Sequence, residues 1–125
     1  MVKALISAII SLFIIVGGSV FEQNYIKNSF SEFERVAKLA YEKTENQSAS
    51  KDDVLGLQQL WLEKKKSLHI FIPHNDIKEI DLWVSEAVTL VEKKKWEDAL
   101  SKLEVVIEIV EQIPKTYSLR IENIL

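Results

Sequence analysis

The sequence predicts an all-α protein, with an N-terminal transmembrane helix followed by an antiparallel three- or four-helix bundle. Three observations lead there. The run from Ala4 to Phe21 holds no charged residue and no proline. Beyond it, apolar residues recur at alternating steps of three and four, the signature of one helix face. Turn-forming residues are scarce. Gly17 and Gly18 lie in the apolar run, which leaves Gly56 as the one glycine outside it, and Pro73 and Pro114 are the only prolines. Sheets and glycine-rich phosphate loops need more turn chemistry than this.

Eighteen helical residues reach about 27 Å, close to the roughly 30 Å of a hydrocarbon core. A single helix satisfies its own backbone there, where lipid offers no hydrogen bonds. Three readings of Ala4–Phe21 compete: a retained anchor, a cleaved signal peptide and the core helix of a soluble domain. A signal peptide has a shorter apolar core and a small-x-small cleavage site, which Gly17-Gly18-Ser19 matches poorly. The chain has no cysteine, which excludes a lipidated cysteine after the run. A soluble domain would have to bury a helix that is apolar on every side. The expectation is therefore a transmembrane anchor over residues 1–21, contacting membrane lipid through residues 4–21. Lys3 and the terminal amine favour a cytoplasmic N-terminus, Lys27 and Arg35 on the far side give an equal basic count, and the short flank before the run, which reads as a start-of-chain targeting segment, decides for that orientation. Residues 22–125 are then extracytoplasmic, on the outer face of the cell membrane.

Those residues are enough for one small domain. The whole chain of 125 residues carries a net charge of −3. A nucleic-acid partner would call for a basic excess, so none is expected. Without cysteine there is no disulfide, no thiolate metal site and no thiol nucleophile.

The first bundle helix is expected over about 22–44. Ile26, Phe30, Phe33, Ala37 and Ala40 step by 4, 3, 4 and 3 along one face. This helix either continues unbroken from the span and packs in the bundle, or protrudes as a stalk below a three-helix head. Thr44 to Ser50 is a polar loop. Ser50 and Asp53 have capping-box spacing, and Asp52 and Asp53 suit the positive end of a helix dipole. A second helix over 51–72 carries Val54, Leu57, Trp61, Leu68 and Ile72 on its face. Gly56 inside it points to a close helix contact, and Pro73 is expected to end it. A turn at Pro73, His74, Asn75 and Asp76 leads to a third helix over 77–94, capped by Asn75 or Asp76. Its stripe is Ile77, Ile80, Val84, Ala87 and Val91. Lys93, Lys94 and Lys95 would complement the dipole at its C-terminus. A fourth helix runs over 96–113. Its segment from Val105 to Val110 is β-branched, but Glu97, Glu104, Glu108 and Glu111 fall on one helical stripe and would face both sides of a strand. Pro114 is expected to stop it, leaving a short helical turn over 117–124 that docks through Leu119, Ile121, Ile124 and Leu125. Short connections make neighbouring helices antiparallel.

The string Pro73-His74-Asn75-Asp76-Ile77-Lys78-Glu79-Ile80 resembles the D-H-x-E-I-x-x-I turn of a bacterial family known as Domain of Unknown Function 4363. Trp61 before the turn, Ala99-Leu100-Ser101-Lys102-Leu103 after it and the ending Ile121-Glu122-Asn123-Ile124-Leu125 are similar to that family too. The chain departs from the pattern at Pro73, where an acidic residue is usual, and at Asp76, where glutamate is. The resemblance implies a small protein with one N-terminal span and a helical domain, of a kind found mostly in spore-forming Firmicutes. It implies no activity.

No catalytic, metal or cofactor site is expected. His69 and His74, with Asp76, make at most three sequence-local ligands, short of a convincing zinc set. His74 is expected to close the turn by hydrogen bonding. The acidic stripe of Glu104, Glu108 and Glu111 reads as a solvated face, because catalytic carboxylates must oppose each other across a cleft. Lys64, Lys65 and Lys66, and the second run Lys93–Lys95, are too short and too diluted by acids for a strong lipid-binding cluster. Trp83 lies on the flank of its stripe. Trp83, Lys64, Lys65 and Lys66 are the candidate partner contacts, and Pro73, His74, Asn75 and Asp76 the structural turn. The expected role is a non-enzymatic, membrane-anchored accessory or scaffold that binds an integral membrane protein or a second copy of itself. The alternative is a small-ligand-sensing ectodomain that works through a separate output subunit.

Overall fold

The computed structural model describes the backbone of residues 1–124 and the side chains of residues 1–116. Four helices follow one another: α1 (Val2–Glu45), α2 (Lys51–Leu68), α3 (His74–Glu92) and α4 (Trp96–Ile124). No strand occurs among the described residues. Cross-helix pairs give the direction of each helix. Lys43 and Lys64 meet Asp53 and Glu32, so α2 descends along α1. Lys51 meets Glu92 and Lys65 meets Asp81, so α3 climbs back beside α2. Lys102 meets Glu86 and Glu111 meets Lys38, so α4 descends between α3 and α1. Both α1 and α3 pack against α2 and α4, which closes an up-down-up-down four-helix ring.

Periodicity decides what the ring encloses. On α1, Ile26, Phe30, Phe33, Ala37 and Ala40 are all buried. The first helix is therefore one wall of the bundle, and a three-helix head on a free stalk is excluded. Val54, Leu57, Trp61 and Leu68 face them from α2, Ile77, Ile80, Val84 and Val91 from α3, and Ala99, Leu103, Val106 and Val110 from α4. The β-branched stretch of α4 is helical, as its glutamate stripe required.

The two halves of α1 differ completely. Its 44 residues form one uninterrupted helix, about 66 Å long. Its apolar window is wholly unburied, and it is the one helix among the described residues long and apolar enough to cross a membrane. The expected boundary between residues 21 and 22 coincides with no break, and the helix passes through Gly17 and Gly18 unchanged.

Several ends fall elsewhere than the sequence suggests. Helix α2 stops at Leu68, four residues before the expected end at 72. Pro73 forces the residue before it out of the helical region, and the chain tightens into short bonds, Phe71 N–H donating to Leu68 C=O at 2.9 Å. Ile72 still turns inward and is buried. Helix α3 begins at His74 instead of 77. Pro73 itself is the N-cap, with ψ of 142°, and no side chain caps the helix. Its carbonyl accepts from the N–H groups of Asp76 and Ile77, so neither Asn75 nor Asp76 is needed as a cap. Pro114 does not end α4 at 113; it lies inside the helix. A mid-helix proline removes one backbone bond and strains the preceding turn, while burial of Val110 and Ile113 holds the helix on the bundle around it. The separate turn over 117–124 is accordingly part of α4 in its backbone. The docking expected of Leu119, Ile121, Ile124 and Leu125 lies outside the described side chains. Gly56 marks no close contact either, since a Cβ there would meet nothing within 4 Å.

Candidate functional site

The end of the bundle from which the apolar half of α1 emerges, its proximal end, collects most of the features without a purely internal role. The α2–α3 connection, residues 69–73, lies there. Tyr25 of α1 reaches it, with its ring centroid 5.6 Å from that of Phe71 and its hydroxyl donating to Ser67 Oγ. Phe21, one helical turn earlier, stacks on Tyr25 at 6.3 Å. The rings thus step from the apolar segment onto the turn. Ile70, at the tip of the turn, is 70% exposed, whereas Leu68 and Ile72 on either side are buried.

Two open grooves flank α4 near this end. One, about 420 Å³, lies against the N-terminus of α3 and is lined by Pro73, Asp76, Glu108, Gln112 and Thr116 among others. The other, about 570 Å³, lies between α1 and α4, with Phe30 as its floor and Lys27, Glu34, Glu111 and Lys115 around it.

The expected partner contacts are dispersed. Lys64 is tied to Glu32 of α1. Lys65 Nζ lies 2.8 Å from Asp81 Oδ2 of α3. Both stems lie along interhelical seams with the ammonium at the surface, and only Lys66 is fully exposed. Trp83 is half-buried, and the Lys102 ammonium sits over its ring at 4.7 Å. Lys102 also approaches Glu86 Oε2 at 3.2 Å, an ion-pair contact without hydrogen-bond geometry. Trp83 therefore takes part in the α3–α4 seam, and exposed Leu82 lies beside it in sequence.

In the turn, Pro73, His74 and Asn75 are exposed and Asp76 is half-buried. The backbone bonds to Pro73 C=O hold it; no described partner bonds the His74 ring. His69 Nδ1 lies 3.3 Å from Lys65 C=O. Among the described residues no three His, Asp or Glu side chains converge as a metal set would. Glu104 and Glu108 are exposed, and Glu111 pairs across the seam with Lys38.

Charges at these seams are mutually tuned. The hydrogen bond from Lys64 holds the Glu32 carboxyl below its ordinary range. Lys38 lies 2.8 Å from Glu34 and 3.3 Å from Glu111; hydrogen bonds to both raise its pKa, and Lys38 lowers that of Glu111 in return. Asp53 is lowered chiefly by the Ser50 backbone N–H, with Lys43 adding to it. Sequence reasoning missed Asp81, which accepts from the Trp61 indole N–H at 2.6 Å as well as from Lys65. A buried tryptophan needs an acceptor, so Trp61 was the available signal.

A family model described as "Domain of unknown function (DUF4363)" matches residues 20–124. The chain belongs to this family. The matched DUF4363 region contains the whole bundle and begins six residues before Ile26, the first buried residue of α1. The exposed apolar half of α1 lies almost entirely outside it. Comparisons with curated proteins and with solved structures each returned no match.

Proposed function

We propose that this chain is a non-enzymatic, membrane-anchored module, in which residues 4–21 span the bilayer and the DUF4363 bundle stands on its outer face to bind a membrane-protein partner. The observation that carries the reading is α1. One half is apolar and wholly exposed, the other is built into the bundle core, and no break separates them. Exposing that much apolar surface to water is unfavourable by about 25 cal/mol per Å², and a bilayer removes the cost. Lys3 before the span favours a cytoplasmic N-terminus. A rigid helix shared by span and bundle suits an accessory or scaffold, because whatever turns or displaces the span in the membrane also moves the bundle.

The test uses the full chain in native membranes. Carbonate extraction should leave it in the membrane pellet, and protease added to intact cells should remove the bundle. Mild crosslinking followed by affinity capture should yield a stoichiometric integral membrane protein or a second copy of the chain. Release by carbonate overturns the anchor, and capture of the chain alone as a monomer overturns the scaffold role. A small-ligand sensor is the second reading, because the α1–α4 groove is within the usual size of ligand sites, about 300–1,000 Å³. That groove is open along α4 and does not lie between all four helices, which favours the scaffold.

A further inference from the structure

We infer that the α2–α3 turn is a second membrane-contact site, with Ile70 and Phe71 seated at the boundary between lipid headgroups and acyl chains on the side where α1 leaves the bilayer. The inference rests on the proposed span and adds a surface to it. The depth follows from helix geometry. The midpoint of residues 4–21 falls between Leu12 and Phe13. Phe21 is then about 13 Å from the bilayer centre and Tyr25 about 19 Å. The hydrocarbon boundary lies at about 15 Å and the headgroup layer ends at about 20–22 Å. Tyr25 therefore has its backbone in the headgroup layer, and the Phe71 ring, with its centroid 5.6 Å from that of Tyr25, lies within that distance of its level, a range that reaches the hydrocarbon boundary.

The chemistry of the turn agrees with that level. A tyrosine ring bridges apolar and polar layers through its hydroxyl, and a phenylalanine ring beside it lies on the apolar side. Ile70 is 70% exposed between buried Leu68 and Ile72, and Phe21, 67% exposed, ends the exposed apolar segment of α1. In water an exposed isoleucine gains nothing; at an acyl boundary the same side chain buries its surface. Lys66, exposed one helical turn before Ile70, stands just beyond the headgroup layer, within electrostatic reach of anionic lipid. With α1 as one attachment and the turn as another, the bundle is pinned at two points and its tilt is fixed.

The natural absence of cysteine provides the test. Single variants Leu12→Cys, Ile70→Cys and Leu82→Cys of the full chain are labelled with a small fluorophore and reconstituted in vesicles containing lipids brominated at graded depths. The label at position 70 should be quenched by shallow bromines at least about twofold more than the label at 82, and the label at 12 by deep bromines. Quenching at 12 with none at 70 beyond that at 82 overturns the turn contact and leaves the span standing. A second copy covering the turn would give that same result. No quenching at 12 removes the span and the inference together. Circular dichroism of each variant confirms the helical fold, which an exposed position tolerates.

Discussion

Trp61→Ala is expected to destabilise the bundle by about 3–5 kcal/mol, the range for truncating a large buried aromatic. Trp61 is 1% exposed and reaches two other helices, α1 and α3, from α2. Its ring centroid lies 5.3 Å from that of Phe33 and 6.3 Å from that of Phe30, both on α1. Its indole N–H donates to Asp81 of α3 at 2.6 Å. The aromatic pairs add about 0.5–1.5 kcal/mol beyond area. A hydrogen bond to a carboxylate contributes about 1.5–3 kcal/mol, here at the low end, because the Asp81 side chain is 34% exposed and Lys65 holds its other oxygen. Trp61→Phe separates the two contributions: it keeps a ring against Phe33 and loses the bond, so about 1–2 kcal/mol is expected. For a bundle of this size each kcal/mol moves Tm by about 4–8 °C, which puts the alanine variant about 12–40 °C below the parent. Far-UV circular dichroism melts of the full chain in detergent read this out, since the apolar half of α1 stays helical in micelles. A loss under about 1 kcal/mol for Trp61→Ala would refute the central role given to this residue. Equal losses for Phe and Ala would refute the primacy of packing over the bond to Asp81.

Four further outcomes follow from backbone geometry and charge. Gly56→Ala should stabilise by about 0.5–1 kcal/mol, because Gly56 lies inside α2 with open space at its Cβ; a loss in the same melts would mean an unrecognised close contact. Lys94→Gly and Gln47→Gly should each gain about 1 kcal/mol, because both residues sit at positive φ, 57° and 55°, just past the ends of α3 and α1. Pro114→Ala should gain about 1–3 kcal/mol by restoring a backbone bond within α4; no gain in urea unfolding would show that the helix is already relaxed there. Stability should be flat from about pH 5 to 9 and decline modestly outside that window. Asp53, Glu32 and Glu111 have folded pKa values below their unfolded ones, so their contribution is present above the unfolded values and is lost as pH falls through the folded ones. Lys38 is raised, so its contribution holds below its unfolded pKa and is lost as pH climbs through the folded one. A Tm that rises on acidification would refute these assignments.

What the sequence disclosed and what it hid follow from the range of the forces involved. Helix faces were legible because burial acts on every third or fourth residue, as Ile26 to Ala40 and Ile77 to Val91 illustrate. The capping box was legible because its two bonds are local: Asp53 N–H donates to Ser50 Oγ at 3.2 Å, and Ser50 N–H to Asp53 Oδ2 at 2.8 Å. Pro114 misled because its local cost is set against packing by distant residues. The left-handed caps at Gln47 and Lys94 were hidden because neither position carries the glycine that usually signals them. At Lys94 the bonds are those of a Schellman motif, Lys95 N–H to Leu90 C=O and Lys94 N–H to Val91 C=O, so the lysine run there forms the cap itself. Lys64, Lys65, Asp81 and Lys102 could not be paired in advance, because their partners lie on other helices. Ile70 was hidden among apolar neighbours in His69-Ile70-Phe71-Ile72, where only the turn geometry decides which side chain is left outside.

The short passage from Phe21 to Ile26 limits how the module can work. It contains Glu22, Gln23, Asn24 and Tyr25, all helical, and five residues of helix advance about 7.5 Å. With residues 4–21 in a bilayer, that distance is spent inside the headgroup layer, so the first core layer of the bundle lies at the membrane surface. A flexible linker of the same length would let the bundle swing and search for partners at a distance; a helix does not. On the proposed reading, a membrane-protein partner would meet the bundle close to the membrane, where the proximal turn and the grooves beside α4 lie. Inserting a few glycine and serine residues after Asn24 would leave the span and the buried side chains of the bundle unchanged while releasing this constraint. A scaffold that depends on the rigid connection should then lose its crosslinked partner even though both parts remain folded.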